Sequence, residues 1–191
     1  MLSRYADIFS GYTYRSSFEE NAAGVFTFLQ PRDINQTINV FSLESAAKTN
    51  DYPGDKKFLL RKGDVLVAIK GKTTPVVIYD SSLPHVIGSS AFAIIRTMPA
   101  YLDPGYLAWY LEQPDVQQYF LSRKAGTTVL NLPITVIQQL EIPLPDLHKQ
   151  KIYGELYYSK NKLKATHLAI LEKEIRLIDL QLSDMLKKEN L

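Results

Sequence analysis

The sequence predicts an α+β fold, with a mixed, β-rich domain that carries short helices over residues 1–146 and one long helix over residues 147–191. Three patterns lead to this prediction. Short runs of β-favouring residues alternate with turn residues over roughly the first hundred positions. Prolines then introduce short helices, and the last stretch repeats apolar residues at heptad spacing. A chain of 191 residues suits one domain plus an extended element better than two full domains.

The β-rich part is clearest in a predicted hairpin. Val65 to Ile69 and Val76 to Tyr79 are apolar, largely β-branched runs. The link between them, Lys-Gly-Lys-Thr-Thr-Pro, contains the glycine and proline that favour turns. Upstream, aromatic and polar residues alternate around Gly11 and Gly24, which predicts further short strands. Another strand is expected at Phe92 to Ile95.

Prolines divide the second part of the domain. We expect Pro104 to open one helix and Pro114 a second, because proline fits the first turn of a helix but not its interior. Apolar residues at helical spacing in 134–140 predict a short third helix. The two prolines of segment 142–145 hold the chain extended, so we place the end of the domain near Asp146.

Residues 147–191 have the composition of a long helix, since proline is absent and Gly154 is the only glycine. A helix of about forty residues runs on the order of 60 Å, too far for the domain to cover, which predicts pairing with another helix. The alternative is a helix folded back on its own domain. Asn161 and Lys164 would fix the register of the pair at a cost in stability. The predicted seam, at alternating spacings of three and four, is Tyr157, Asn161, Lys164, Leu168, Leu171, Ile175, Ile178, Leu182 and Met185.

The residue inventory argues against an enzyme. There is no cysteine, and the three histidines do not have metal-binding spacing. The glycine rhythm of a phosphate-binding loop is missing, as is the carboxylate pair with a lysine of a metal-dependent nuclease. We therefore expect no catalytic residue, no cofactor and no metal site. A long apolar span and a signal-peptide layout are also missing, which predicts a cytoplasmic protein with no membrane partner.

The charge pattern indicates a binding surface. The net charge is only +2, so indiscriminate binding to nucleic acid is not expected. Residues 55–72, however, contain six lysines and arginines against two acids; the alternative for them is an ordinary solvated surface. Basic, amide and hydroxyl side chains beside strands can contact phosphates and base edges of duplex DNA. The candidate DNA-binding residues are Arg15, Arg32, Asn35, Lys70, Lys72, Thr73, Thr74, Arg123, Lys124, Thr127 and Thr128.

Several motifs, in sequence order, resemble the specificity (S) subunits of Type I restriction-modification enzymes. Residues 6–14 (ADIFSGYTY) and 28–34 (FLQPRDI) are similar to the opening of the family's target recognition domain. Residues 60–66 (LRKGDVL) resemble its strand-entry motif and 106–111 (YLAWYL) its paired-helix region. The most specific run is 142–150 (IPLPDLHKQ). The family's usual member carries two recognition domains and two helices, whereas this sequence resembles a half-length form with one of each.

The resemblance implies a DNA reader without catalytic activity, whose long helix forms an antiparallel coiled coil with another such helix. A homodimer would read a symmetric, bipartite site with half-sites about one DNA turn, roughly 34 Å, apart; a pair with a different half-subunit is the other possibility. The methyltransferase (M) and restriction (R) subunits would be separate chains. Two alternatives stay open: a coiled-coil interaction adaptor with a β-rich binding domain, and a truncated or recombination-derived half that works only when joined to a second half.

Overall fold

The structure, a computed structural model, describes residues 1–14, 19–35, 37–38, 40–43, 45–52, 54–126 and 130–189, the last two of these without their side chains. A β-rich domain is followed by a long C-terminal helix, which confirms the predicted α+β class. The strands are β1 (Ala6–Ser10), β2 (Phe26–Leu29), β3 (Ile34–Asn35), β4 (Val40–Phe41), β5 (Ala47–Thr49), β6 (Val65–Ala68), β7 (Val76–Ile78), β8 (Val86–Gly88) and β9 (Phe92–Thr97). Single 3-10 turns lie at Leu2–Arg4, Pro31–Asp33 and Lys56–Phe58.

A four-stranded antiparallel sheet with the order β1-β9-β6-β7 forms the centre of the domain. Its strand β6 is buried at every position, and its side chains alternate between two cores. Val65 and Val67 pack with the helices, whereas Leu66 and Ala68 pack with the second sheet. That second sheet has the order β5-β2-β8, and β3 pairs with β4 as a separate hairpin. The predicted hairpin is confirmed as β6 and β7, with Val65 opposite Ile78.

The short helices begin at the prolines that predicted them. They are α1 (Pro104–Leu111), α2 (Pro114–Leu121) and α3 (Ile134–Gln138). Asp103 caps α1 by accepting a hydrogen bond of 2.9 Å from the backbone N–H of Tyr106. These helices cover the face of the central sheet that carries Val65 and Val67.

The turn before β6 is held by a buried ion pair that explains the Arg-Lys-Gly-Asp motif. Asp64 is 1% exposed and receives two hydrogen bonds from the Arg96 guanidinium, of 2.9 Å from Nε and 2.7 Å from Nη2. It also accepts the backbone N–H of Arg61 at 2.8 Å. Gly63 lies at φ +91, where a side chain would be strained. The motif therefore builds the entry to β6.

The long helix α4 spans Leu147–Glu189, 43 residues, about 65 Å at 1.5 Å per residue. Its first turns pack on α1, where Gly105 and Gly154 leave no room for a Cβ between the two backbones. Gln150 is 1% exposed and contacts three backbone groups: it accepts from the Asp103 N–H at 3.0 Å and donates to the carbonyls of Tyr101 and Pro145. In the described part of the chain, none of the helices is apolar enough over a bilayer's thickness to cross it.

Candidate DNA-binding and helix-pairing surfaces

The tip between β6 and β7 presents the polar side chains that the sequence singles out. Lys70, Lys72 and Thr73 are exposed. Gly71 has φ +101 with open space around it, so the tight turn depends on glycine. Thr74 is a correction to the predicted DNA contacts: it is 4% exposed because the chain has already turned inward to begin β7.

The tip is held by a second predicted segment from far along the chain. The ammonium group of Lys124 donates hydrogen bonds to the carbonyls of Gly71 (2.8 Å) and Thr73 (2.7 Å), and burial lowers its pKa. Gly71 also donates its backbone N–H to Leu130 at 2.9 Å, and Lys70 bridges to Asn131. Lys124 is only partly exposed, and its ammonium group holds the backbone of the tip. Asn131 was not among the residues predicted from the sequence. Its backbone N–H and carbonyl form two hydrogen bonds with the backbone of Ala125, which connects the Lys124 segment to the chain beside the tip.

Arg123, next to Lys124, has a different environment. Its guanidinium lies 3.7 Å from the centre of the Tyr119 ring and donates to the Tyr119 carbonyl at 3.4 Å. The residue is exposed, so its charge remains available to a ligand. Three other candidates, Arg15, Thr127 and Thr128, lie outside the described residues.

Arg32 lies in the 3-10 turn that follows β2, and Asn35 ends the next strand, β3. The side chain of Arg32 is 66% exposed, and Asn35 is exposed while accepting the Thr37 N–H at 3.1 Å. The turn is closed by Asp33, whose carboxylate accepts the Gln30 N–H at 2.7 Å; burial raises the pKa of Asp33.

Both polar segments lie at one end of the domain. The backbone N–H of Ile69, at the end of β6, donates to Ala91 at 2.9 Å, and that of Ser89 donates to Leu29, at the end of β2, also at 2.9 Å. The turn between β8 and β9 thus has the β6–β7 tip on one side and the Arg32 turn on the other. These hydrogen bonds connect both segments to the same β8–β9 turn.

The basic cluster of residues 55–72 is divided by the fold. Arg61 and Lys62 precede β6 and Lys70 and Lys72 follow it, so the two pairs lie at opposite ends of a strand. Lys62 forms an exposed ion pair with Asp80 at 3.0 Å. Among the described residues there is no group of three or more side chains arranged to hold a metal ion.

At the base of α4, one residue predicted for the helix seam is not available to a second helix. Tyr157 is 3% exposed and belongs to the core of its own domain. Its hydroxyl donates to Glu112, and burial together with that carboxylate raises its pKa. Trp109 stacks on Tyr153 with ring centres 4.6 Å apart. Tyr157 therefore anchors the helix, and the face available to another helix begins beyond it.

Beyond Ala165 the helix leaves the domain. Leu168 is partly exposed, and every described side chain from 169 to 187 is exposed. The apolar seam residues Leu171, Ile175, Ile178, Leu182 and Met185 are each between 51% and 60% exposed. An apolar stripe of this length at a and d spacing has the pattern of a coiled-coil partner surface.

A second apolar column follows the same helix on another face. With Leu168 as position a of the heptad, Leu156, Leu163, Ile170 and Leu177 all occupy position c and are 64%, 56%, 48% and 59% exposed. In a two-stranded coiled coil the a and d positions face the partner, so position c faces solvent. The seven-residue repeat of this second column is visible in the sequence.

Comparisons with known proteins agree with this architecture. The family model described as Type I restriction modification DNA specificity domain matches residues 3–172. The chain is similar to the S subunit of a Type I restriction-modification system from M. genitalium, at 17% identity and a TM-score of 0.61, over 90% of this chain and 41% of that chain. It is also similar to the HsdS subunit from Thermoanaerobacter tengcongensis, at 17% identity and a TM-score of 0.59, over 93% and 46%.

A third similar chain comes from a structure of complex assembly and conformational transition in the type I R-M system, at 17% identity and a TM-score of 0.58, over 78% of this chain and 39% of that chain. At such identities the likeness shows the fold. This chain spans less than half the length of each of these three solved chains. A comparison with curated proteins found no match.

Proposed function

Because the chain belongs to the family of Type I restriction modification DNA specificity domains, we propose that it selects the DNA sequence for such a system and carries no catalytic centre itself. One observation carries this proposal: two distant polar segments, around Lys70 and Lys124, are joined into one exposed surface by hydrogen bonds of 2.7 and 2.8 Å. A DNA reader of this kind acts in the cytoplasm.

The surface has the chemistry that duplex recognition needs. Lys70, Lys72 and Arg123 are exposed cations that can neutralise phosphates. Thr73 and Asn35 offer a hydroxyl and an amide for hydrogen bonds to base edges. Lys124 holds the backbone of the tip through two hydrogen bonds. The side chains of the tip are therefore positioned before DNA binds, which reduces the conformational entropy lost on binding.

We further propose that residues 1–146 form the target recognition domain and 147–191 a helix for dimerisation and spacing. The charges along α4 favour an antiparallel homodimer. Beyond Tyr157, residues 158–165 carry three lysines and no acid, whereas residues 166–187 carry four acids against three bases. A parallel pair would set two lysine-rich halves against each other, while an antiparallel pair sets each against the other's acidic half. The same seam would also accept a different half-subunit.

The column of leucine and isoleucine at position c offers a place for a further subunit. A homodimer through the a and d positions would leave Leu156, Leu163, Ile170 and Leu177 on its outer surface. Contiguous exposed apolar side chains of this kind mark interaction sites. We propose that the methyltransferase subunit, a separate chain that uses S-adenosylmethionine, packs here, with the ATP-dependent restriction subunit joining the assembly.

The proposal is tested by expressing the chain with its neighbouring methyltransferase and mapping methylated bases in the host genome. We expect methylation at a bipartite motif whose half-sites are inverted copies of each other. Methylation without a selected sequence, or none in the reconstituted complex, would overturn the DNA-specificity function. An asymmetric bipartite motif would keep that function and replace the homodimer with a pair of different half-subunits.

A further inference from the structure

An aromatic pocket of about 800 Å³ lies on the β-rich domain where β1 ends. Four partly buried aromatic residues line it: Phe9, Tyr12, Tyr14 and Phe58. Asp51 and Lys57, both exposed, add one negative and one positive charge to its lining. Its volume is within the range of about 300–1,000 Å³ that is usual for the binding sites of small ligands.

The rings of the pocket are held by one another and by the backbone. The ring of Tyr12 meets those of Tyr14, Tyr52 and Phe58 edge to face, with centres 4.9, 5.1 and 5.5 Å apart. The hydroxyl groups of Tyr14 and Tyr52 donate to backbone carbonyls at 3.0 and 2.6 Å. Burial raises the pKa of both tyrosines to about 12, so they are uncharged at neutral pH. The pocket therefore has a neutral aromatic wall that is formed before a ligand binds.

The aromatic pocket is connected to the same turn as the two polar segments of the domain. The backbone N–H of Tyr12 donates to Gly88, and the Tyr12 carbonyl accepts from Ser90, both at 2.8 Å. Gly88 ends β8, and Ser90 lies in the β8–β9 turn, which also bonds to the chain at the ends of β6 and β2. The pocket therefore adjoins the surface proposed for DNA binding.

We propose that the aromatic pocket takes up one base that is unstacked from the bound duplex. The inference rests on the DNA-specificity function proposed above. A base that leaves the duplex loses its stacking, and an aromatic wall replaces that stacking for any of the four bases. The ammonium group of Lys57 lies 4.8 Å from the centre of the Phe58 ring, where it supplies a cation for the phosphate of the same nucleotide.

The lining favours a nucleotide over a cationic ligand. Quaternary ammonium groups bind where aromatic rings face the cation, but here Lys57 already places an ammonium group beside Phe58. A nucleotide combines a flat ring with an anionic phosphate, which suits aromatic walls with a cation at their edge. The carboxylate of Asp51 adds an acceptor for the exocyclic amine that adenine, cytosine and guanine carry.

The base in the aromatic pocket is separate from the base that is methylated. Enzymes that modify a base in duplex DNA take that base into their own active site, and the methyltransferase is proposed to be a separate chain. The pocket thus holds a second base without changing it. Because the cost of unstacking depends on the base pair and its neighbours, this contact contributes to the selection of the sequence.

Mismatch scanning tests the inference with the full chain in complex with its methyltransferase. The probes are duplexes of the methylated motif with a single mismatched pair, moved position by position through one half-site. A mismatch lowers the cost of unpairing. We therefore expect one position, other than the methylated base, where a mismatch tightens binding at least threefold in fluorescence anisotropy. An abasic site there should cancel this gain, because no base is left to stack.

Variants of the lining connect that gain to the aromatic pocket. Phe58→Leu keeps an apolar side chain but removes a ring from the wall, and we expect it to abolish the gain. The control, Tyr101→Leu, removes a ring that is 57% exposed beyond the other end of β9 and should keep the gain. Lys57→Gln changes only an exposed residue, so it tests the pocket even if Phe58→Leu fails to fold; it should reduce the gain at least twofold.

The outcomes separate this inference from the function on which it rests. A gain that survives Phe58→Leu, or a half-site without such a position, would overturn the base-binding role while the DNA-specificity function stands. If Phe58→Leu leaves DNA binding unchanged and weakens capture of the methyltransferase, the pocket holds a protein segment and the inference is wrong. A complex that selects no sequence would overturn the DNA-specificity function as well.

Discussion

The hydroxyl of Tyr157 donates a hydrogen bond of 2.6 Å to Oε1 of Glu112, the C-cap residue of α1. The other carboxylate oxygen accepts from the ammonium group of Lys160 at 3.1 Å. Burial and the neighbouring carboxylate raise the pKa of Tyr157, so the phenol stays protonated and able to donate. This contact attaches a helix of about 65 Å to a domain that covers only its first turns.

Replacing Tyr157 by Phe should lower the free energy of unfolding by about 1–3 kcal/mol, because the Glu112 carboxylate loses a donor in a largely buried place. Urea unfolding followed by circular dichroism measures the change. Tyr158→Phe is the matched control, one residue along on the same helix, and should change stability by less than about 0.5 kcal/mol. Equal losses for both variants would contradict the anchoring role of Tyr157.

Lys124→Met should loosen the tip between β6 and β7. Two hydrogen bonds from a charged donor are lost, each worth about 1.5–3 kcal/mol, and solvent screening reduces the total because Lys124 is only partly buried. We expect a lower melting temperature and weaker DNA binding. In Arg123→Met, which removes the adjacent cation, stability should stay within about 1 kcal/mol while DNA binding weakens. If the two variants have the same stability, Lys124 does not support the tip.

Charge reversal at the tip should weaken DNA binding and its dependence on salt. In Lys70→Glu with Lys72→Glu, the slope of log K against log salt should fall by about 2, since each lost phosphate contact removes about 0.9. Fluorescence anisotropy with the reconstituted complex and its target duplex gives the slope. The control, Arg61→Glu with Lys62→Glu, makes the same charge change at the other end of β6 and should keep the wild-type slope. Peptide binding by an adaptor protein would be insensitive to both.

Substitutions in the two apolar columns of α4 should affect two different interactions, dimerisation and binding of the methyltransferase. Ile178→Asp places a charge in the a/d seam and should abolish the dimer in sedimentation. Leu163→Asp, at position c, should leave the dimer intact and reduce methyltransferase capture by at least tenfold. A monomeric Leu163→Asp protein would show that the seam is wider than the a and d positions.

Inserting one heptad between Ile178 and Asp179, with apolar residues at its a and d positions, should lengthen the spacer. The helix bases would move about 10 Å further apart, which corresponds to roughly three base pairs at 3.4 Å each. Mapping methylated sites should show the same half-sites with a longer gap. A change in the bases that are read, with the gap unchanged, would show that the helix is not a spacer.

Local patterns predicted much of the fold because they act over a few residues. Pro104 and Pro114 each begin a helix, since proline lacks the N–H that the first turn of a helix does not use. The β-branched runs of β6 and β7 form the predicted hairpin. Strand β5 was not predicted, because its Ala-Lys-Thr sequence contains residues that are depleted in strands and its place depends on pairing with β2.

The sequence by itself determined the α+β class, the long helix and its heptad seam, because proline positions and apolar spacing act through local backbone geometry. Tertiary structure decided which of the predicted binding residues are exposed to a ligand or a second helix. It buried Thr74, placed Lys124 against the carbonyls of the β6–β7 tip, and took Tyr157 out of the seam. The contacts of Lys124 and Tyr157 join segments about 45 to 53 residues apart, where hydrogen-bond geometry and burial, and not local propensity, determine the role of a side chain.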